Sequence, residues 1–328
     1  MSEARPAGLA LRALASAAHA VTAMLEPRLS VLIFHRVNAT RDPIFPGDPH
    51  AASFEAMLRL VASCFTVIPL HEAVQGLERG TLPRGALAIT FDDGYADNAT
   101  VALPILARLG LPATFFVAAG FIDGGRMFND VVIESVRAFA GTQCDLGPWG
   151  RHDVATPAQK AATIAALIGR IKHLAPAARD DAVADIADRL AVPRPPSLMM
   201  TSAQVRALSS AGMDVGGHTL THPILARIPA ADAEREIAAG REALEGLTRA
   251  PVRMFAYPNG TPRGDYGAEH VAIVRRLGFS GACSTAVGVA RRGADSYQVP
   301  RFTPWDAVGW KFGLRLLHNL SRTEYATA

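Results

Sequence analysis

Cysteine is scarce: the 328 residues hold three, Cys64, Cys144 and Cys283. They are odd in number, far apart and without CxxC spacing, which excludes a disulfide framework and a structural zinc knuckle; reduced, buried thiols are expected. Net charge is nearly absent as well. A formal +3 on 34.7 kDa, with basic residues scattered rather than gathered into a stripe, leaves no footprint for nucleic acid. Long apolar runs are missing. In Gly8 to Leu25, the one stretch resembling a span or an export signal, Arg12 and His19 interrupt the hydrophobic residues. What remains is too short to cross a bilayer, and no good small-residue cleavage site precedes the next strand-like run. Leu9, Leu11, Leu14, Val21, Met24 and Leu25 fit an amphipathic helix within residues 1–28, packed on the body of the protein or touching a membrane surface. The expected setting is the cytoplasm, including the inner membrane face. No internal repeat is present.

What the chain does have is a globular composition, 49% hydrophobic, enough to bury a large core. Short apolar runs alternate with helical patterns. Ser30–Phe34, Phe65–Ile68, Ala86–Ile89, Ala113–Val117, Met213–Val215, Val252–Ala256, Phe279–Cys283 and Tyr297–Val299 read as strands. Ser53 and Ser202 read as helix caps. This βαβ spacing predicts an α/β fold with a parallel sheet or barrel over residues 29–328. From about 126 to 200 the pattern turns alanine-rich and helical, which predicts a helical insertion that covers a groove or packs, with no chemistry of its own.

Three strand ends carry the chemistry. Thr90-Phe91-Asp92-Asp93-Gly94-Tyr95 sets two carboxylates side by side after an apolar run. Burying like charges is costly unless a cation or a shared proton relieves them, although Asp-Asp-Gly is equally an ordinary turn. Gly216-Gly217-His218-Thr219-Leu220-Thr221-His222-Pro223 places two histidines four apart after a second strand. In a helical turn they face one side, and two imidazoles with a carboxylate form an open metal site. Asp93 is the natural third ligand. Phe255-Ala256-Tyr257-Pro258-Asn259-Gly260 is a third strand and sharp loop, by itself no more than a turn.

In order and separation these stretches resemble the polysaccharide deacetylases of the NodB-homology type, carbohydrate esterase family 4, whose motifs include TFDDG, H(S/T)xxH and a loop of the RxPY kind. The resemblance covers roughly residues 30–125 and 200–303. It implies a distorted (β/α)7-type barrel and metal-assisted removal of acetyl from N-acetylhexosamine units of a poly- or oligosaccharide. It further implies one divalent metal, zinc being the expected ion, held by Asp93, His218 and His222, with Asp92 as general base. The third loop supplies Asn259, through its amide, and Tyr257 as the substrate and oxyanion candidates. Two departures stand out. Ala256 occupies the place of the arginine that orients the base; Arg301 is the candidate replacement and Arg253 the alternative, although its strand position points it outward. The acid histidine, normally in a C-terminal Leu-x-x-His, is matched by Leu32-Ile33-Phe34-His35 at the other end of the chain, as in branches that look circularly permuted. In a closed barrel the first and last strands are neighbours. His318 competes for this role from what reads as a helix face. His50, His71, His152, His173 and His270 read as solvated. A hydrolase of small non-sugar amides and a sugar-binding protein that has lost catalysis are the rival readings.

Overall fold

The computed structural model describes residues 13–16, 27–193, 196–303 and 309–328. Most of the helix expected within 1–28 therefore lies outside the described residues. Strand β1 (Arg28–Phe34) is buried at every position after the first, and β3 (Ala86–Phe91) at all six. An apolar run without alternation suits a strand covered on both faces. Between them lie α1 (Ala51–Cys64), β2 (Thr66–Val67) and α2 (Leu70–Arg79). Helix α1 begins before the expected cap: His50 is the N-cap residue, and Ser53 sits inside the first turn, its hydroxyl accepting from the His50 N–H. Helix α3 (Leu103–Leu109) then leads to β4 (Thr114–Val117).

The chain next leaves the sheet for α4 (Phe128–Ala138), a hairpin of β5 (Gln143–Asp145) and β6 (Arg151–Asp153), α5 (Pro157–Ile171) and α6 (Pro176–Leu190). These elements build a core of their own around Val136, Leu146, Leu167 and Ile186. The hairpin was not visible in the sequence: its strands are three residues each, only Cys144 is buried, and the turn depends on Gly147 and Gly150 at φ 60° and 103°. After α7 (Ser202–Ser210), which Thr201 and not Ser202 caps, come β7 (Asp214–Gly217), α8 (Ala230–Thr248), β8 (Met254–Ala256), α9 (Ala268–Arg276), β9 (Gly281–Cys283), β10 (Ala290–Arg291) and α10 (Gly309–Asn319).

The strands lie in the order β10-β1-β3-β4-β7-β8-β9, with β2 added to β3. All pair in parallel except β10, which runs antiparallel to β1. No strand is assigned over Tyr297–Val299, because that segment changes partner within four residues. Val299 bonds to β9 through the Ala282 carbonyl, and the Phe302 N–H donates to the Val31 carbonyl of β1 at 2.7 Å. This switch joins the two ends of the curled sheet and makes a distorted (β/α) barrel.

Strand alternation sorts the side chains into two cores. Phe34, Phe91 and Phe115 are register partners across β1, β3 and β4 and face outward; Phe91 stacks on Phe115 at 4.6 Å, and Phe34 meets Phe54 of α1. Ala86, Ala88, Phe116, Met254 and Cys283 fill the interior together with Leu70, Ala73, Val74 and Leu77 of α2. Helix α2 thus plugs the barrel at the N-terminal ends of its strands, and the open mouth lies where the strands end, the usual place for a site in such folds. Of the three cysteines, Cys144 and Cys283 are buried and Cys64 is partly exposed.

His71 of α2 clips the plug to the first residue of β7, with Nδ1 2.8 Å from Asp214 Oδ2. That bond raises the His71 pKa above its ordinary value. The pair's contribution is present in full below the unfolded-state pKa of about 6.5 and is lost as pH rises through the higher folded one. Thermal melts of His71→Ala are therefore expected to show a loss of up to about 1 kcal/mol at pH 5.5, shrinking at pH 9.

Candidate active site

Because Phe91 points outward to α1, the residues on either side of it, Thr90 and Asp92, point inward. Both meet Arg301. Its Nη1 and Nη2 donate to Asp92 Oδ1 and Oδ2 at 2.6 and 2.7 Å, Nη1 reaches Thr90 Oγ1 at 3.3 Å, and Nε donates to the Ser284 carbonyl at 2.9 Å. Arg301 is 1% exposed and Asp92 3%, so the pair is a dry, bidentate fork of the strong kind. Burial alone would push the Asp92 pKa up, but Arg301 and His218 together hold it below the usual carboxylate range. Of the two arginines weighed from the sequence, Arg301 is the one that grips Asp92; Arg253 is exposed.

Asp93 turns the opposite way. Its φ of 74° bends the chain at the strand end, a left-handed conformation that costs a non-glycine residue roughly 1–2 kcal/mol. Gly94 follows at φ 93°, where a Cβ would stand 2.8 Å from Val117 Cγ1. The second motif is bent in the same manner, at Thr219 (φ 65°) and His222 (φ 56°). Thr219 Oγ1 accepts from the His222 N–H at 3.0 Å, and the Glu236 carboxylate of α8 collects the N–H groups of Leu220 and Thr221 and the Thr221 hydroxyl. These bonds offset the strain and fix the histidines.

Asp93 Oδ1 lies 3.4 Å from His218 Nε2 and 3.3 Å from His222 Nε2, and the two Nε2 atoms are 3.1 Å apart. His218 Nδ1 sits 2.7 Å from the Ala256 carbonyl, which makes Nδ1 the protonated nitrogen and turns the Nε2 lone pair toward its neighbours. Burial pushes His222 down to about 3, so it is neutral. Burial works to raise the Asp93 pKa, and the two imidazoles beside it, His218 first, outweigh burial and hold it below the usual carboxylate range. Two imidazole nitrogens and a carboxylate with lone pairs converging within 4.8 Å form a set able to hold a metal ion. Ala256, where the family pattern has arginine, thus serves the site through its carbonyl.

His35 is exposed at the mouth. It lines a cavity of about 300 Å³ with Asp93 and Tyr95, and its carbonyl is held by Asn98 Nδ2 at 2.9 Å. His318 is exposed on α10, whose buried face packs against the outside of α1, away from the mouth. Tyr257 corrects the sequence reading. Its ring stacks on Tyr266 at 3.8 Å, its hydroxyl donates to the Tyr297 carbonyl and its N–H to the Cys283 carbonyl, so neither group is open to a substrate. The alternation explains this: Ala256 faces the interior, which sends Tyr257 into the outer core. Asn259 lies one turn on at φ 57°, half-buried, and lines neither of the cavities flanking the ligand set. Of the histidines read as solvated, only His173 is exposed. His270 is 1% exposed and accepts from the Gly267 N–H; His50, His71 and His152 are half-buried, each with a hydrogen-bond partner.

The insertion reaches the site, lining a cavity beside the ligand set. Asp130 of α4 is 5% exposed, takes the Tyr95 hydroxyl at 3.0 Å on one oxygen and has none on the other. Burial raises it to about 7 despite that bond, with Asp93 adding repulsion. A second cavity of about 820 Å³ runs from Thr221 and His222 into the insertion. Neither feature has a motif, since each depends on the three-dimensional approach of α4 and α6.

A family model described as polysaccharide deacetylase matches residues 79–282. The deacetylase PplD of Streptococcus pyogenes, solved in complex with acetate, superposes with a TM-score of 0.60 at 16% identity, over 89% of this chain and 99% of that one. IcaB from Ammonifex degensii superposes at 0.57 and 21% identity over 87% and 97%, and the BpsB deacetylase domain from Bordetella bronchiseptica at 0.52 and 16% over 84% and 95%. No curated protein matches in sequence. At these identities the structural likeness speaks for the barrel alone. The family match carries more, because it spans over half of the 328 residues and includes both the Asp92-Asp93 and the His218–His222 stretches, while His35 and Arg301 lie beyond its ends. The chain belongs to the polysaccharide deacetylase family, hydrolases of carbon–nitrogen bonds other than peptide bonds.

Proposed function

We propose that the protein is a metal-dependent deacetylase acting on the acetamide of N-acetylhexosamine units in a poly- or oligosaccharide. The observation that carries this reading is the arrangement of Asp92, pinned by Arg301 on one side, beside the converging Asp93, His218 and His222 on the other. A divalent ion, zinc by the donor set, would be held by those three residues. When bound, such an ion supplies Lewis acidity toward an acetamide carbonyl and toward water.

The chain's own residues do the rest. Asp92 stays ionised because Arg301 occupies one lone pair on each oxygen, and each oxygen keeps another lone pair with which to take a proton from an attacking water. Arg301 fixes the carboxylate plane, so the base points without a reorganisation cost. The Ala256 carbonyl and the Glu236 carboxylate keep His218 and His222 in place. His35, at the rim of the smaller cavity, gives a proton to the departing amine. The amide of Asn259 remains the candidate donor to the oxyanion. Cavities on both sides of the ligand set, about 820 and 300 Å³, leave room for sugars flanking the reacting one and favour an oligomer over a small amide.

Zinc-loaded protein is expected to release acetate from N-acetylglucosamine oligomers and to do so faster on the tetramer than on the monosaccharide. No release from any N-acetylated sugar would contradict the reading. Glu236→Ala is expected to weaken metal binding about 10- to 100-fold, measured by competition with a chromogenic chelator.

A further inference from the structure

The protein buries two arginines in its described parts and treats them differently. Arg301 has a carboxylate, a carbonyl and a hydroxyl around its guanidinium. Arg179, on α6, is 8% exposed, and its buried Nε has no hydrogen-bond partner. Its guanidinium carbon stands 4.4 Å from the centre of the Phe128 ring. The carboxylate beside it, Asp180, is 4.0 Å from Nε, and its side chain is 70% exposed. Among the described residues, no hydrogen bond is made by the Arg179 guanidinium.

A guanidinium whose Nε is buried without a hydrogen-bonded counter-charge is costly, and an anion at its terminal nitrogens would offset that cost. Arg179 and Phe128 line the cavity of about 820 Å³ whose other end is formed by Thr221 and His222 of the ligand set. Asp180 and Asp188 line it too, but both are exposed, so water and salt screen them far more than they screen Arg179. Phe128 holds the planar fork by its face, and the two terminal nitrogens, which are not among the buried atoms, are the edge that can give two parallel N–H bonds to an oxyanion.

We propose that the insertion provides an anion-binding subsite in which Arg179 receives a phosphate or carboxylate carried by the glycan, so that the substrate is an acidic N-acetylated saccharide. The position of the anion relative to the acetamide rests on the deacetylase reading. The anion binding itself does not.

Three saccharides separate the possibilities: the neutral N-acetylglucosamine tetramer, an N-acetylglucosamine oligomer with a terminal 1-phosphate, and a hyaluronan tetrasaccharide that brings glucuronate carboxylates. With the zinc-loaded protein, kcat/KM on one acidic saccharide is expected to exceed that on the neutral tetramer by about tenfold or more, and the preferred arm names the anion. In Arg179→Met, which keeps the stack on Phe128, the ratio of acidic to neutral kcat/KM should fall to near one, and Arg179→Lys should restore part of it. Equal rates on all three, or a preference that survives Arg179→Met, would overturn the subsite. If no acetate leaves any of the three, the deacetylase reading has failed, and calorimetric binding of the same saccharides then decides. An acidic arm bound about tenfold more tightly than the neutral one, with that margin lost in Arg179→Met, upholds the subsite; equal Kd values in parent and variant refute it. The unliganded variant should also melt at the parent's Tm or above it, since an uncompensated buried charge has been removed. A drop of several degrees would assign Arg179 to holding the fold.

Discussion

Arg301→Met is expected to lower kcat on the N-acetylglucosamine tetramer by about 10²-fold or more and to destabilise the protein by about 3–5 kcal/mol. Both effects come from Asp92. The wild-type pair is buried and bidentate, so removing the cation strands a carboxylate in a dry site. The sign with pH follows. In the parent, the Asp92 pKa lies below its ordinary value, so the pair stabilises above the unfolded-state pKa of about 3.9 and that contribution fades as pH falls through the lower folded value. In the variant the order is reversed: burial without Arg301 raises the folded pKa, and the buried carboxyl is tolerated only when protonated. The stability gap between parent and variant should therefore be widest at pH 7 and narrowest below pH 4, and activity should return in part as pH rises. Arg301→Lys keeps a charge but not the fork, and is expected to fall between. The double variant Asp92→Asn/Arg301→Met should regain stability over Arg301→Met without regaining activity, a coupling that a double-mutant cycle reads directly.

The second large effect separates two neighbours in the chain. Asp93→Asn is expected to lose bound metal and to reduce turnover by more than about 10²-fold, since it removes a ligand where even outer partners are worth 10- to 100-fold. Asp92→Asn should lose a similar amount of turnover while keeping its metal. Elemental analysis of the two variants beside acetate release distinguishes them. Equal metal content in both, or metal loss in Asp92→Asn alone, would reverse the roles assigned to the pair.

The sequence revealed the strand ends because their signals are local: an apolar run, then acids or histidines bracketed by glycine and proline. Arg301 could be named only as the arginine ending a late strand. That it reaches Asp92 depends on residues 299–302 changing partner from β9 to β1, a switch with no periodicity to betray it. Tyr257 shows the opposite case: its loop reads as a motif, while the strand alternation that puts Ala256 inside turns Tyr257 away from the mouth. His270 looked solvated because it sits on a short charged helix, AEHVAIVRR; yet it lies on the face that packs inward. Asp130 and Arg179 were illegible, as an alanine-rich helix carrying single charges reads like any solvated helix until its neighbours are known. The insertion's hairpin was too short to show a period.

The measurement that bears most directly on the central claim is metal content and acetate release on one and the same sample, carried through chelation and zinc readdition. One divalent ion per chain is expected, bound by Asp93, His218 and His222, with turnover on the N-acetylglucosamine tetramer rising and falling in proportion to it. Full turnover in protein stripped to less than about a tenth of an ion per chain, unchanged when zinc returns, would contradict it.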